Sequence, residues 1–321
     1  MLKALSLAAL LLAGASIAGV AQASPAVSRP LPVTPSRPLV DLVTDVVFAQ
    51  PSGANTPHVL LKMDVLRPKS DKTLPAVVFI TGGGFVSAVK SSYIQQRVAI
   101  SEAGYVVVSI EYRVPPNATF PGPLEDVKSA IRYLRANAAA YGVDPDRIAV
   151  MGESAGGYLA AFAGVTNGNA LFDKGDNLDQ RSDVKAVVDL YGLSDLTRVA
   201  EGFPEDIQAK HRGASAPEAL WVNGLALFGD GGSIGEHPEA ATAANPIHYV
   251  TNKAPPFLLM HGDHDALVSP RQSERLHEAL IASGVDSTRY VLPGAEHGGV
   301  YWVQPQVLKV IIDFLDAHLN K

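Results

Sequence analysis

Short apolar runs alternate with longer stretches of helical spacing along most of the chain. Residues 75–80 and 105–111 are almost continuously apolar, as strands are when both faces are covered, and 42–48 and 58–66 give two earlier strands. Residues 92–103 have helical spacing and stop before Gly104, a residue suited to the left-handed position that ends a helix. Val127, Ala130, Ile131, Leu134 and Ala138 form an apolar stripe, which predicts a helix over 124–141. Further on, the pattern gives strands at 147–151, 184–190, 257–260 and 288–292, and helices at 154–165, 271–283 and 303–319. This alternation calls for an α/β architecture with a mostly parallel central sheet and helices on both faces. Residues 194–255 break the rhythm, with helical pieces around 194–202, 204–212 and 217–228 but no clear strand. An insertion there, at the carboxyl end of the sheet, is expected to form a helical cap or lid over a site.

Composition narrows the class. The 321 residues are 47% hydrophobic and 18% charged, which suits one α/β domain with a sizeable core and excludes a disordered chain. Basic residues number 26 against 32 acidic, a net charge of −6, and no Lys/Arg-rich run occurs, so nothing marks a nucleic-acid or anionic-membrane partner. A chain without cysteine has no disulfide, thiolate metal site or Cys nucleophile. Residues 1–23 carry Lys3, an apolar stretch from Ala4 to Val20 and the tripeptide Ala21-Gln22-Ala23, which reads as a secretory signal peptide cut before Ser24. Gly14, Ser16 and Gly19 interrupt the stretch, which argues against a membrane anchor. The expected product is a secreted or periplasmic domain over 24–321 that opens with a Pro-rich leader.

The sharpest chemical signal is Gly152-Glu153-Ser154-Ala155-Gly156-Gly157, set between the strand at 147–151 and the helix that follows. A G-x-S-x-G at such a turn strains the serine backbone and exposes its hydroxyl above the sheet at a helix N-terminus, where developing negative charge is favoured. The plainer alternative is an N-cap serine at a Gly-rich helix start. A serine nucleophile needs a base and a carboxylate that orients it. His297, in the Gly-flanked loop after the strand at 288–292, is the candidate base, and His261 reads as a structural residue at a strand end. Asp265 is the chosen acid, with Asp263 as runner-up, and Glu296 is too near its neighbour's ring. The order Ser154, Asp265, His297 is the one an α/β-hydrolase topology imposes. After the third strand, Thr81-Gly82-Gly83-Gly84-Phe85 can turn backbone N–H groups inward, so Gly83, Gly84 and Ala155 are the candidate oxyanion-hole donors. No Gly-Lys-Ser/Thr follows, which excludes a phosphate loop. Phe85, Trp221 and Trp302 are candidates for a substrate pocket, since aromatics often line one.

These segments, with Glu111-Tyr112-Arg113, Phe120-Pro121, Asp126 and Tyr141-Gly142-Val143-Asp144-Pro145 in the same order, resemble the α/β-hydrolase superfamily. Within it the chain is most similar to serine carboxylesterases of the feruloyl/acetyl esterase and hormone-sensitive-lipase-like type, over residues 75–319. The resemblance implies the α/β-hydrolase fold and favours Asp265, because the family pattern His-Gly-x-x-Asp-x-x-Val fits His261 to Val268. It also implies Gly83 and Gly84 as oxyanion-hole donors and a structural role for Asp126 below the site. Thr81 stands where hormone-sensitive-lipase relatives carry His, which favours the feruloyl/acetyl branch.

The resulting expectation is an exported serine esterase acting on short-chain acyl, acetyl or feruloyl esters, small or polymer-linked, without cofactor or metal. Two other readings compete with it. A peptidase of this fold commonly carries a large N-terminal domain, and a silent binding protein would not require all four parts of the site. Asp263, His264 and Asp265 make a thin case for a metal, as does the Asp173, Asp176, Asn177 and Asp179 loop for calcium, because neither has the ligand spacing of a known site. Oligomeric state is left open by the sequence.

Overall fold

The central strands form because their apolar residues have partners on both faces. In β3 (Leu74–Ile80), Val78 and Ile80 enter one core cluster while Val77 and Phe79 enter another, the period-two alternation of a strand inside a sandwich of helices. The first cluster takes in α2 (Gly122–Ala136), α4 (Ala155–Val165) and α8 (Arg271–Ala282); the second takes in Ile100 of α1 (Ile94–Glu102) and Ile311, Leu315 and Leu319 of α9 (Pro305–Leu319). Burying one such side chain is worth about 1.5–3 kcal/mol, so the two clusters hold helices to both faces of the sheet.

The computed structural model describes residues 28–54 and 56–320. The signal-peptide expectation at 1–23 lies outside them. Residues 28–36 are exposed and carry no regular secondary structure, and the chain from Arg37 onward forms a separate unit. That unit holds an eight-stranded sheet in the order β1-β2-β4-β3-β5-β6-β7-β8. Besides β3, the strands are β1 (Val40–Ala49), β2 (Leu61–Pro68), β4 (Val106–Ile110), β5 (Val143–Glu153), β6 (Val187–Leu190), β7 (Phe257–Gly262) and β8 (Ser287–Leu292). Only β2 runs against its neighbours β1 and β4; every other pairing is parallel. The register sets Ile80 opposite Gly152, so the end of β3 lies beside the turn that carries Ser154.

Three helix expectations change. The helix expected over 124–141 divides into α2 and α3 (Ala138–Tyr141) at Asn137, whose side chain donates to the Tyr133 carbonyl. Residues 194–202 form only a short 3-10 turn at Leu196–Arg198. Side chains occupy the backbone groups that a helix would need: the Gln272 amide bonds the Ser194 and Asp195 N–H groups and the Asp195 and Arg198 carbonyls, and Asn245 takes the Leu196 N–H. The rest of the insertion between β6 and β7 holds α5 (Glu205–His211), α6 (Pro217–Asn223), α7 (Pro238–Ala243) and 3-10 turns at Ile234–Glu236 and Pro246–Tyr249. Helix α6 stops well before residue 228, because Gly224 follows it with φ 75°.

Candidate active site

Ser154 joins β5 to α4 with φ 55° and ψ −122°, a conformation that costs a non-glycine residue about 1–3 kcal/mol. Its neighbours must be small for the turn to exist. A Cβ on Gly156 would lie 2.0 Å from the Ile80 carbonyl oxygen, and one on Gly152 would lie 2.1 Å from that of Gly156. The Ser154 N–H donates to the Leu190 carbonyl at 2.9 Å, and its carbonyl accepts from Tyr158 N–H at 2.9 Å, which pins the strained residue on both sides.

The structure brings together the three side chains singled out for the relay. His297 Nε2 is 2.8 Å from Ser154 Oγ, and His297 Nδ1 is 2.7 Å from Asp265 Oδ2. An ionised carboxylate only accepts, so Nδ1 carries the ring proton and Nε2 is left to accept from the serine hydroxyl. Asp265 is almost wholly buried, and its Oδ1 also accepts from Leu267 and Val268 N–H, both at 2.9 Å. Burial pushes its pKa up, but hydrogen bonds from His261 and His297, with the Val268 N–H, outweigh it and hold the carboxyl well below the usual carboxylate range. His261, read as a strand-end structural residue, is fully buried; its Nε2 lies 3.0 Å from the Val268 carbonyl and 3.2 Å from Asp265 Oδ2. It steadies the carboxylate from behind.

The rival acids sit elsewhere. Asp263 Oδ1 accepts from Gly294 N–H at 2.6 Å and thereby joins the two loops, while Glu296 is exposed. Among the described residues no group of three His, Cys, Asp or Glu side chains is placed to hold a metal. In the acidic loop, Asp173 pairs with Arg132 at 2.9 Å and the Asp176 carbonyl accepts from the same guanidinium at 3.1 Å.

Gly83, Gly84 and Ala155 line one cavity with Ser154 and His297. Among the described residues their N–H groups have no protein acceptor. The Gly83 turn closes on Val86 and Ser87, whose N–H groups donate to its carbonyl at 3.1 Å, and a Cβ on Gly83 would lie 2.1 Å from the Ser87 carbonyl oxygen. Tyr112 donates to the Thr81 carbonyl at 2.8 Å and fixes the start of the loop. Asp126 sits below: its carboxylate takes the Arg113 guanidinium at 2.7–3.0 Å and the Arg113 N–H at 2.8 Å.

The cavity encloses about 350 Å³, and its wall is mostly apolar, from Phe85, Leu193, Val199, Pro217, Leu267 and Val268. Of the expected pocket aromatics only Phe85 reaches it. Trp221 is fully buried behind Phe85, with ring centroids 4.6 Å apart. Trp302 is 1% exposed and packs on Tyr191 at 4.3 Å while its Nε1 donates to the Glu296 carbonyl. Both tryptophans therefore support the walls and the His297 loop, because their bulk is already spent against core neighbours.

Several residues of the site escaped sequence reading. Tyr93, just before α1, His211 of α5 and Glu218 of α6 add polar groups to the cavity wall. Tyr191, at φ 43°, lays its ring edge-on to His297 with centroids 4.7 Å apart and donates to Glu153 Oε2 at 2.5 Å. Burial raises the Glu153 carboxyl to about 7 despite the hydrogen bond from Tyr191 and the nearby Gln96 and Tyr93, and burial with the nearby Glu153 raises Tyr93 to about 12. No periodicity marks any of these positions, since tertiary proximity alone gives them their surroundings.

Comparison with known proteins agrees with this architecture. The chain is 38% identical over 245 residues to the esterase LipC and 32% identical over 225 residues to the esterase LipQ, both of Mycobacterium tuberculosis. Those matches take in 74% and 70% of this chain but 56% and 50% of the relatives, so the chain spans about half the length of the curated relatives it matches. Among solved structures, a truncated carbohydrate esterase from gut microbiota superposes with TM-score 0.76 and 30% identity over 89% of this chain and 100% of that one. The propionate-bound Est2 esterase of Thermogutta terrifontis does so with TM-score 0.64 and 25% identity over 87% of this chain and 94% of its own. The BD-FAE family model matches residues 63–280, from β2 through the elbow and the insertion into α8. With an α/β-hydrolase sheet beneath that match, the chain belongs to the BD-FAE family.

Proposed function

We propose that this protein is an exported serine carboxylesterase. One observation carries the reading: Ser154 Oγ, His297 and Asp265 form an unbroken hydrogen-bonded relay beside free N–H groups of Gly83, Gly84 and Ala155. In the mechanism that this geometry suits, His297 Nε2 takes the Ser154 proton as Oγ attacks an ester carbonyl. The three N–H groups receive the oxyanion, and Asp265 stabilises the imidazolium that forms. His297 then protonates the leaving alcohol and next activates a water, which releases the acid from Ser154. The esterase titles of the relatives and structural neighbours support the same chemistry.

A small and mostly apolar cavity suits a short acyl group, and the propionate complex of the Thermogutta esterase is consistent with that. The insertion between β6 and β7 acts as the cap, since it supplies Val199, His211, Pro217 and Glu218 to the wall. Export rests on residues 1–23. The test is an acyl-chain series of p-nitrophenyl esters from acetate to palmitate, with methyl ferulate alongside, together with organophosphonate labelling. Stoichiometric labelling of Ser154 and an optimum at acetate or butyrate are expected. A folded protein that neither labels nor turns over any ester would overturn the reading. N-terminal sequencing of protein recovered from the medium or periplasm is expected to start at Ser24.

A further inference from the structure

The cavity at Ser154 contains one feature that short-chain ester hydrolysis does not use. Glu218 of α6 is 2% exposed, in a wall that is otherwise mostly apolar. Among the described residues its side chain has one hydrogen-bond partner: His211 of α5 donates from Nδ1 to Oε1 at 2.6 Å. A buried carboxylate with a single partner is expensive, because desolvation takes away water that one bond does not replace. Its second oxygen, Oε2, has no hydrogen-bond partner among the described residues, and the side chain lines the cavity. His211 lies nearly parallel to Phe203, at 21° between ring planes and 6.4 Å between centroids. With Nδ1 committed to the carboxylate, Nε2 is left without a hydrogen-bond partner among the described residues.

The pair therefore offers two polar atoms, the acceptor Glu218 Oε2 and the ring nitrogen His211 Nε2, and the complementary ligand carries neighbouring hydroxyls, which can both donate and accept. His211 also belongs to a second cavity of about 590 Å³, which shares Val199 and His211 with the first. That space is lined by Arg198, Gln208, Arg212 and Ser233 among others, a more polar wall than the one at Ser154. An acyl chain has nothing to offer such groups, whereas a polyhydroxylated alcohol has donors and acceptors for all of them.

We infer that His211 and Glu218 determine specificity by hydrogen-bonding neighbouring hydroxyls on the alcohol side of the ester, with the adjoining polar cavity holding the rest of that alcohol. This rests on the esterase reading and deepens it. The test compares two acetyl esters of equal ring size, a monoacetylated methyl glycoside and cyclohexyl acetate, in the wild type, Glu218→Gln and His211→Phe. Glu218→Gln keeps an oxygen for His211 Nδ1 but turns the open acceptor into a donor, and His211→Phe keeps the ring on Phe203 and removes both nitrogens. The wild type is expected to favour the glycoside by at least tenfold in kcat/KM. Each variant is expected to lower that ratio about tenfold, chiefly through KM, as the loss of one or two hydrogen bonds to a bound hydroxyl requires.

A wild-type ratio near one overturns the inference, and so does a ratio that neither variant moves. An equal fall on both substrates assigns the pair to packing and also overturns it; thermal melting of both variants identifies any loss of fold. If the wild type labels at Ser154 and hydrolyses cyclohexyl acetate while the ratio fails, only this inference falls. If it neither labels nor hydrolyses any ester, the esterase reading falls with it.

Discussion

Ser154, His297 and Asp265 make one chain of hydrogen bonds, so removing any member leaves the others without a task. Ser154→Ala is expected to lower kcat by several orders of magnitude, on the order of 10⁶ by analogy with a protease triad, with an unchanged melting temperature. Asp265→Asn is expected to cost about 10⁴ in kcat, because an amide in place of the carboxylate permits the wrong His297 tautomer. Glu153 behaves differently. Its carboxyl and that of Asp189 are both lifted by burial to about 7, from ordinary values of 4.5 and 3.8. Between those values the folded protein holds protons that the unfolded chain has released, so stability present below about pH 4 is lost as pH rises through about 7. Melting temperature should therefore fall between about pH 4 and pH 7 and level off above, and Glu153→Gln, neutral throughout, should flatten part of that fall. An unchanged slope in the variant would place the titration elsewhere. The elbow motif was legible at this scale because it is local; the roles of Glu153 and Tyr191 were not, because burial by distant elements creates them.

At the scale of elements, the join between β5 and α4 fixes where chemistry can occur. Gly156 packs so near the end of β3 that Ile80 oxygen occupies the place of any Cβ, whereas Gly284, at φ 76° after α8, has open space around it. Both are glycines after or within a helix, yet their substitutions should differ sharply. Gly284→Ala is expected to cost about 1–2 kcal/mol, the strain of a left-handed alanine. Gly156→Ala should abolish the native elbow, with loss of soluble folded protein and of Ser154 labelling. Denaturant unfolding of the first and expression of the second check this. The strand pattern was readable because covered strands have a stark apolar signature. The turn at 194–202 was misjudged because Gln272, from α8, bonds the backbone that propensity alone would wind into a helix.

At the scale of the whole molecule, Arg113 and Asp126 tie the segment after β4 to α2, and Arg113 also donates to the Ser52 and Gly122 carbonyls. Asp126 is nearly fully buried, so Asp126→Asn would leave the mostly covered Arg113 guanidinium with only Glu125, 3.8 Å away, as counter-charge. A loss of about 3–5 kcal/mol is expected in urea unfolding. Activity at low denaturant should survive if the pair only supports the fold, and the same midpoint as wild type would show the pair to be dispensable.

The sequence by itself determined the α/β order, the mostly parallel sheet, the elbow at Ser154, the glycine turn at Gly83 and Gly84 and the loop that carries His297. Each depends on a periodicity or a short motif whose physics is complete within a few residues. Tertiary structure decided what those residues touch. It joined Asp265 rather than Asp263 to His297, sent Asp263 to the Gly294 N–H, buried Trp221 and Trp302 behind the walls, and drew His211 and Glu218 to the cavity from an insertion without a strong pattern. The reason is range: helical stripes and tight turns are set by neighbours in sequence, while a pocket wall is set by which side chains the parallel sheet happens to gather at one end.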